Sequence, residues 1–168
     1  TDYNQGLLII DVSDPTAPFV EGVVDLSGVG SGLALSEGRA YVTNGEAAIH
    51  IVDTQLPSEP VLIGSSALPQ GPQSVAVSGG LAFVGAGILT QNSGSFHVID
   101  STSPYSPLGA RVDTPGSSNG VEISGTHAFV ADGTRGLRII DISDVHSPYS
   151  AGSRLLPGTQ PESAPTAK

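Results

Sequence analysis

Four aspartates stand in nearly the same setting: Asp11 in IIDVSDPTAP from Ile9, Asp53 in IVDTQLPSEP from Ile51, Asp100 in VIDSTSPYSP from Val98, and Asp141 in IIDISDVHSP from Ile139. Recurring carboxylates invite acid–base or metal chemistry. Two histidines, His50 and His97, each stand three residues before one of these aspartates, and imidazole pairs ligate transition metals. Asp2, Asn44 and Asp132 would supply the oxygen ligands that Ca²⁺ takes. Against these readings, no base, nucleophile and orienting partner recur at related positions, so no triad can be assembled. Asp, Ser and Pro also have a purely local use. Carboxylates and hydroxyls bond nearby turn backbone, and proline fixes φ and stops a strand. The repeated aspartates are therefore expected to hold turns.

Composition removes several function classes. Of 168 residues, 13% are charged and the formal net charge is −10, with Lys168 the only lysine, so the basic surface that nucleic acid requires is missing. Zero cysteines exclude a disulfide framework, thiolate chemistry and Cys-ligated zinc. The longest apolar runs, such as Leu7 to Ile10, fall far short of the roughly 20 residues that span a bilayer, so no membrane insertion is expected. With no methionine and no signal segment at Thr1, the chain is expected to be a processed or excised piece.

The four aspartates lie 42, 47 and 41 residues apart, a period typical of propeller blades. A second motif interleaves with the first: LALSEGRAYV from Leu33, VAVSGGLAFV from Val75 and VEISGTHAFV from Val121. Each is an alternating run, a tight turn and another alternating run, the signature of a β-hairpin. Positions four, two and one before each aspartate are apolar, as in Leu7, Ile9 and Ile10, so these strands bury both faces. Each unit then holds strands A, B, C and D. The fold class is all-β, a β-propeller segment of four-stranded antiparallel blades, about three and a half of them. The expected boundaries are a partial blade at 1–26, blades at about 29–68, 71–113 and 117–156, and a Pro-rich tail or linker at 157–168. Tyr41, Phe83 and Phe129 share one strand B column and Ala40, Ala82 and Ala128 the column before it, large beside small, as interdigitating sheets need. The third unit is five residues longer, which places an extended B–C loop around Gly87 to Gly94.

The runs GLLIIDVSDPTAP and GLRIIDISDVHSP, with the SGxxAYV-like hairpins between them, resemble the LVIVD-repeat β-propeller family from Thr1 to about Leu156. The resemblance implies a secreted or surface-associated propeller with no common catalytic residues. The chain departs from it at Val145, which replaces the first proline of the Asp-Pro pair, and at Asp53 and Asp100, which Ser-Asp-Pro does not follow.

A propeller spreads equivalent positions around a ring, which separates the four aspartates. The His50/His97 column also holds Leu8 and Arg138 and suits a strand face better than a metal site, and His127 and His146 fall in turns. Glu122 occupies a strand A column that is otherwise Ala34 and Ala76, and is expected to face channel water. Sequence variation concentrates at the end of the blades where the D–A and B–C loops emerge. The candidate ligand or partner face is therefore Ser31, Asn44, Glu46, Gln73, Thr90, Asn92, Asn119, Glu122, Asp132 and Arg135, with no catalytic or metal residues assigned. The resulting reading is a non-catalytic binding or assembly module of an extracellular, cell-surface or periplasmic protein. Its expected partners are a protein or glycan, and further propeller blades from the same or another chain that cover its open edges. One alternative is a propeller hydrolase or lyase with a channel-mouth site, its only candidate cofactor Ca²⁺; another is a passive structural domain of a larger surface protein.

Overall fold

The computed structural model describes residues 6–45, 48–88, 93–101 and 110–156. Asp2, Glu46, Thr90, Asn92 and the tail at 157–168 lie outside the described residues. Fourteen strands follow one another: β1 (Leu7–Asp11) and β2 (Phe19–Val24); β3 (Gly30–Ser36), β4 (Arg39–Asn44), β5 (Ala48–Asp53) and β6 (Val61–Ala67); β7 (Pro72–Ser78), β8 (Leu81–Ile88), β9 (Ser93–Asp100) and β10 (Ala110–Thr114); β11 (Gly120–Ser124), β12 (His127–Ala131), β13 (Leu137–Asp141) and β14 (Tyr149–Arg154). They form one two-stranded and three four-stranded sheets, each an antiparallel meander in chain order. Among the described residues the only helical element is a single 3₁₀ turn at Gly133–Arg135.

The turns follow from local chemistry. Glu37 and Gly38 both have positive φ (51° and 72°), as do Gly79 and Gly80, the geometry that lets a two-residue connection match the twist of its strands. Asp11, Asp53 and Asp141 do what their setting predicts. Asp11 Oδ1 accepts from the Ser13 N–H at 2.7 Å, Asp53 Oδ1 from Gln55 at 2.9 Å, and Asp141 Oδ1 from Ser143 at 2.9 Å. The Ser13 hydroxyl, then its N–H, holds Asp11 below the usual carboxylate range, and Ser143 does the same to Asp141. In the three complete blades the residue after the aspartate ties strand C to the A–B hairpin: Thr54 N–H donates to Gly38 O, Ser101 to Gly80 O and Ile142 to Thr126 O.

Neighbouring sheets pack face to face, and the two-residue side-chain period sends alternate residues into different seams. In β4, Ala40 and Val42 face the partial blade with Leu7 and Leu26, whereas Tyr41 faces the third blade with Val75 and Ala82. Phe83 repeats the pattern one blade on, meeting Val121, Ile123 and Ala128 and stacking on Phe96 at 6.0 Å between ring centroids. The two seams between complete blades therefore each seat one aromatic ring of strand B against the alanine of the next strand B, as the column pattern implies.

One difference from the sequence reading is local. The five extra residues of the third unit do not all form a loop. The ladder gains the pairs Gly87↔Gly94 and Ile88↔Ser93, which absorbs four of them and lengthens the B–C connection by one. At the last blade, Phe129 and Ile139 are half-buried, standing side by side in the row Glu122, Phe129, Ile139, Gly152.

Candidate functional site

At the end of the blades where the D–A and B–C connections meet, three polar clusters bridge consecutive blades. In the second blade, Asn44 ends β4. Its Oδ1 accepts from Ala48 N–H at 2.8 Å, so its Nδ2 donates both to Ser27 O in the preceding D–A connection (2.6 Å) and to His50 Nε2 (3.1 Å). Because Nε2 accepts, the imidazole proton sits on Nδ1, which is buried without a hydrogen-bond partner among the described residues. Burial lowers the His50 pKa, with the Ser27 backbone opposing in part.

The third blade uses different chemistry at the same place. Gln70 Nε2 donates to Ser93 Oγ, which turns Oε1 toward Ser95; Ser95 Oγ donates to it at 2.9 Å and accepts from His97 Nε2–H at 2.7 Å. The two histidines therefore hold opposite tautomers. Burial first, then Arg111, lowers His97 to about 4, with Asp113 acting the other way. In the fourth blade, Asp132 is fully buried, its Oδ2 bonded to Arg138 Nε at 3.2 Å and its Oδ1 to Gly116 N–H at 3.1 Å. Gly116 is required there, because a Cβ at that position would overlap the Asp132 carbonyl.

These clusters change the standing of several predicted residues. Asn44 and Asp132 were expected on an exposed loop face, yet they are 4% and 0% exposed and spend their oxygens inside the protein. His50 packs toward the partial blade and His97 toward the second, so the two are not brought together. No group of three or more His, Asp or Glu among the described residues is arranged to hold a metal ion. Glu122 pairs across to Phe129 on the open face of the last blade, and not toward a channel. What the sequence reading missed is the coupling of two columns: the strand B end varies as Asn44, Ala86, Asp132 while the strand C position varies as His50, His97, Arg138. Those matched changes are the signal that could have revealed it.

Ser31 and Gln73 share another device, and Asn119 stands at the equivalent place just before β11. Ser31 and Gln73 are extra residues where the A–B register shifts, between Gly30/Gly32 and Pro72/Ser74, and the Asn119 N–H bonds Ala131 O beside the pair Gly120↔Ala131. A bulge re-aims its side chain out of the sheet. Asn119 and Arg135 are exposed and Gln73 half-exposed, while the Ser31 hydroxyl turns back to donate to Pro72 O at 2.6 Å.

Four-stranded meanders packed face to face, with strands A side by side, make this chain a β-propeller segment. Its sequence matches the LVIVD repeat model at residues 1–26, 27–67 and 115–154, and the chain belongs to that family. The third blade, with its extended hairpin, lies outside the matched segments. Solved structures agree on the fold: hydrazine synthase of Kuenenia stuttgartiensis (TM-score 0.64, 20% identity, 82% of this chain and 40% of that one). BamB from Moraxella catarrhalis (0.61, 9%, 78% and 39%) and the computationally designed Ika4 protein (0.58, 11%, 77% and 74%) are also similar. The chain thus spans about two fifths of the natural proteins it resembles. No curated protein sequence matches it. Among the described residues no helix is long and apolar enough to cross a membrane.

Proposed function

We propose that the chain is a non-catalytic binding or assembly module of a secreted or cell-surface protein, recognising a protein or glycan through the face formed by its D–A and B–C connections. The observation that carries this reading is the start of strand A, where a bulge carries Gln73 in the third blade and Asn119 stands exposed at the equivalent place in the fourth, with Arg135 nearby in sequence to the buried Asp132–Arg138 pair, on backbone held by the polar clusters. Rigid support with variable outward side chains is the arrangement of a recognition surface on a repeat scaffold. The oxygens of Asn44 and Asp132 proposed for Ca²⁺ are already engaged, which favours recognition over a calcium-assisted reaction at this face.

The test is binding of the purified chain to a glycan array and to immobilised extracellular proteins, compared with a Gln73→Ala/Asn119→Ala/Arg135→Ala variant. Loss of signal with an unchanged melting temperature supports the reading. Equal binding by the variant removes the face from consideration.

A further inference from the structure

Each complete blade grips the D–A connection that leads into it with a polar latch at its B–C end, and the three latches differ in how they meet a proton. In the second blade, backbone groups fix the direction of the hydrogen bonds. Ala48 N–H donates to Asn44 Oδ1 at 2.8 Å and Asn44 Nδ2 donates to Ser27 O at 2.6 Å, so the amide cannot turn over without losing both bonds. Asn44 therefore faces His50 Nε2 with a donor, at 3.1 Å, and the ring must meet it with a lone pair. A proton added at Nε2 sets two donors against each other. The other ring nitrogen offers no relief, because Nδ1 already carries the proton and is buried without a partner among the described residues.

The other two latches carry no such constraint. His97 Nε2–H is itself the donor, to Ser95 Oγ at 2.7 Å, and Ser95 Oγ–H donates to Gln70 Oε1 at 2.9 Å, so a second ring proton on Nδ1 leaves both bonds standing. In the fourth blade Asp132 accepts from Arg138 Nε at 3.2 Å and from Gly116 N–H at 3.1 Å, and a guanidinium keeps its proton.

Among the described residues no charged side chain faces the His50 ring. It packs with Val42 and Asn44 of β4, with Leu26 and Ser27 of the connection, and beside Ser65 of β6, which carries no titratable group. The titratable groups of these and the neighbouring elements stand elsewhere. Arg39 lies opposite Asp53 at the far end of β4 and β5, Tyr41 lies in the seam with the third blade, and Asp25 is exposed. On the partial blade, Asp11 and Glu21 lie toward the C–D turn. Burial lowers the His50 pKa from 6.5, and the Ser27 carbonyl, which favours the charged ring, offsets this only in part.

We propose that the second blade's latch is an acid-released catch, in which protonation of His50 frees the connection at 25–29 from Asn44 while the fourth blade's latch stays closed. Gly45 N–H donates to Val29 O at 3.0 Å, so its amide reports whether the connection is seated. Release loosens one seam of the loop face and leaves the blades folded. It depends on this hydrogen-bond geometry alone and not on what the loop face recognises.

The experiment follows amide exchange of the full chain at single-residue resolution at pH 7.5 and pH 5, with the Gly116 N–H as reference in the same sample. Below 6.5 each pH unit raises the opening constant by up to about tenfold, until the seated ring itself titrates. The protection of Gly45 relative to Gly116, corrected for intrinsic exchange, should therefore fall by between about threefold and about thirtyfold at pH 5. His50→Gln, whose side-chain oxygen can accept from Asn44 at any pH, should abolish the fall, and His97→Gln should leave it. Asn44→Asp reverses the sign: with a carboxylate facing the ring, His50 should titrate above 6.5, whereas in the parent it titrates below. Ring nitrogen shifts should place the neutral proton on Nδ1 of His50 and on Nε2 of His97. Parallel loss of protection at Gly45 and Gly116, an acid response that survives His50→Gln or vanishes in His97→Gln, or a neutral His50 protonated at Nε2 overturns the proposal. None of these readouts uses a ligand, so failure here is distinct from failure at the loop face.

Discussion

Replacing Arg138 by leucine tests whether the polar clusters hold the blades together. Asp132 is fully buried and accepts two bonds, one from Arg138 Nε at 3.2 Å and one from Gly116 N–H at 3.1 Å. Leucine stands at the same repeat position in the partial blade, as Leu8, so the substitution suits the strand and changes chiefly the electrostatics. It leaves a buried carboxylate with one backbone donor and no counter-charge, a loss of about 3–5 kcal/mol. For a domain of this size, each kcal/mol moves the melting temperature by about 2–4 °C, so a fall of roughly 10 °C is expected, with a matching drop in urea midpoint at constant m-value. The repeat supplies the control. Asp132→Asn/Arg138→His installs the pair that the second blade uses as Asn44 and His50, and should recover most of the loss although both charges are gone. The reasoning is refuted if Arg138→Leu costs less than about 1 kcal/mol, or if the double variant is no better than the single one.

Acidification should weaken the fold in a defined window. The folded-state pKa of His97 is lowered from 6.5 to about 4, so stability is constant above about pH 6.5, falls as the unfolded chain takes up the proton first, and levels below about 4. The loss amounts to about 3 kcal/mol, is read as the urea midpoint at pH 7.5 against pH 4, and should shrink in His97→Gln. His50 adds to it in the same direction, whereas Asp11 and Asp141, whose pKa values are lowered from 3.8, act only at lower pH. Gly116→Ala should cost about 1–3 kcal/mol in thermal melts, because its Cβ meets the Asp132 backbone, which cannot swing away. Asp53→Ala, which removes the acceptor of the Gln55 N–H on an exposed turn, should cost only about 1 kcal/mol and leave the melt cooperative.

The strands, their order and their turns were legible because each depends on neighbours within a few residues. Alternation of apolar side chains sets which face is buried, a Glu-Gly or Gly-Gly pair sets the hairpin, and an aspartate two residues before a backbone N–H sets the C–D turn. The four-copy repeat then extended each local inference from one unit to the others, including the pairing of Tyr41 and Phe83 with the alanines of the next blade. What the sequence by itself determined is therefore the blade and its internal register.

The tertiary structure decided what happens between blades. Asn44 and Asp132 look like loop residues in sequence, and only the closeness of Ser27 and Gly116, 17 and 16 residues away, turns them into buried acceptors and donors. The third unit's added residues look like a loop, but Gly87 and Gly94 are small enough to continue the ladder beside the neighbouring connection. Glu122 lies on an open blade face because β11 alternates, sending Val121 and Ile123 into the seam and leaving the residue between them on the far side. For Asn44, Asp132 and the third unit's ladder the deciding neighbour lies in a D–A connection between blades, and its approach depends on packing distances that a linear pattern of residue types does not contain.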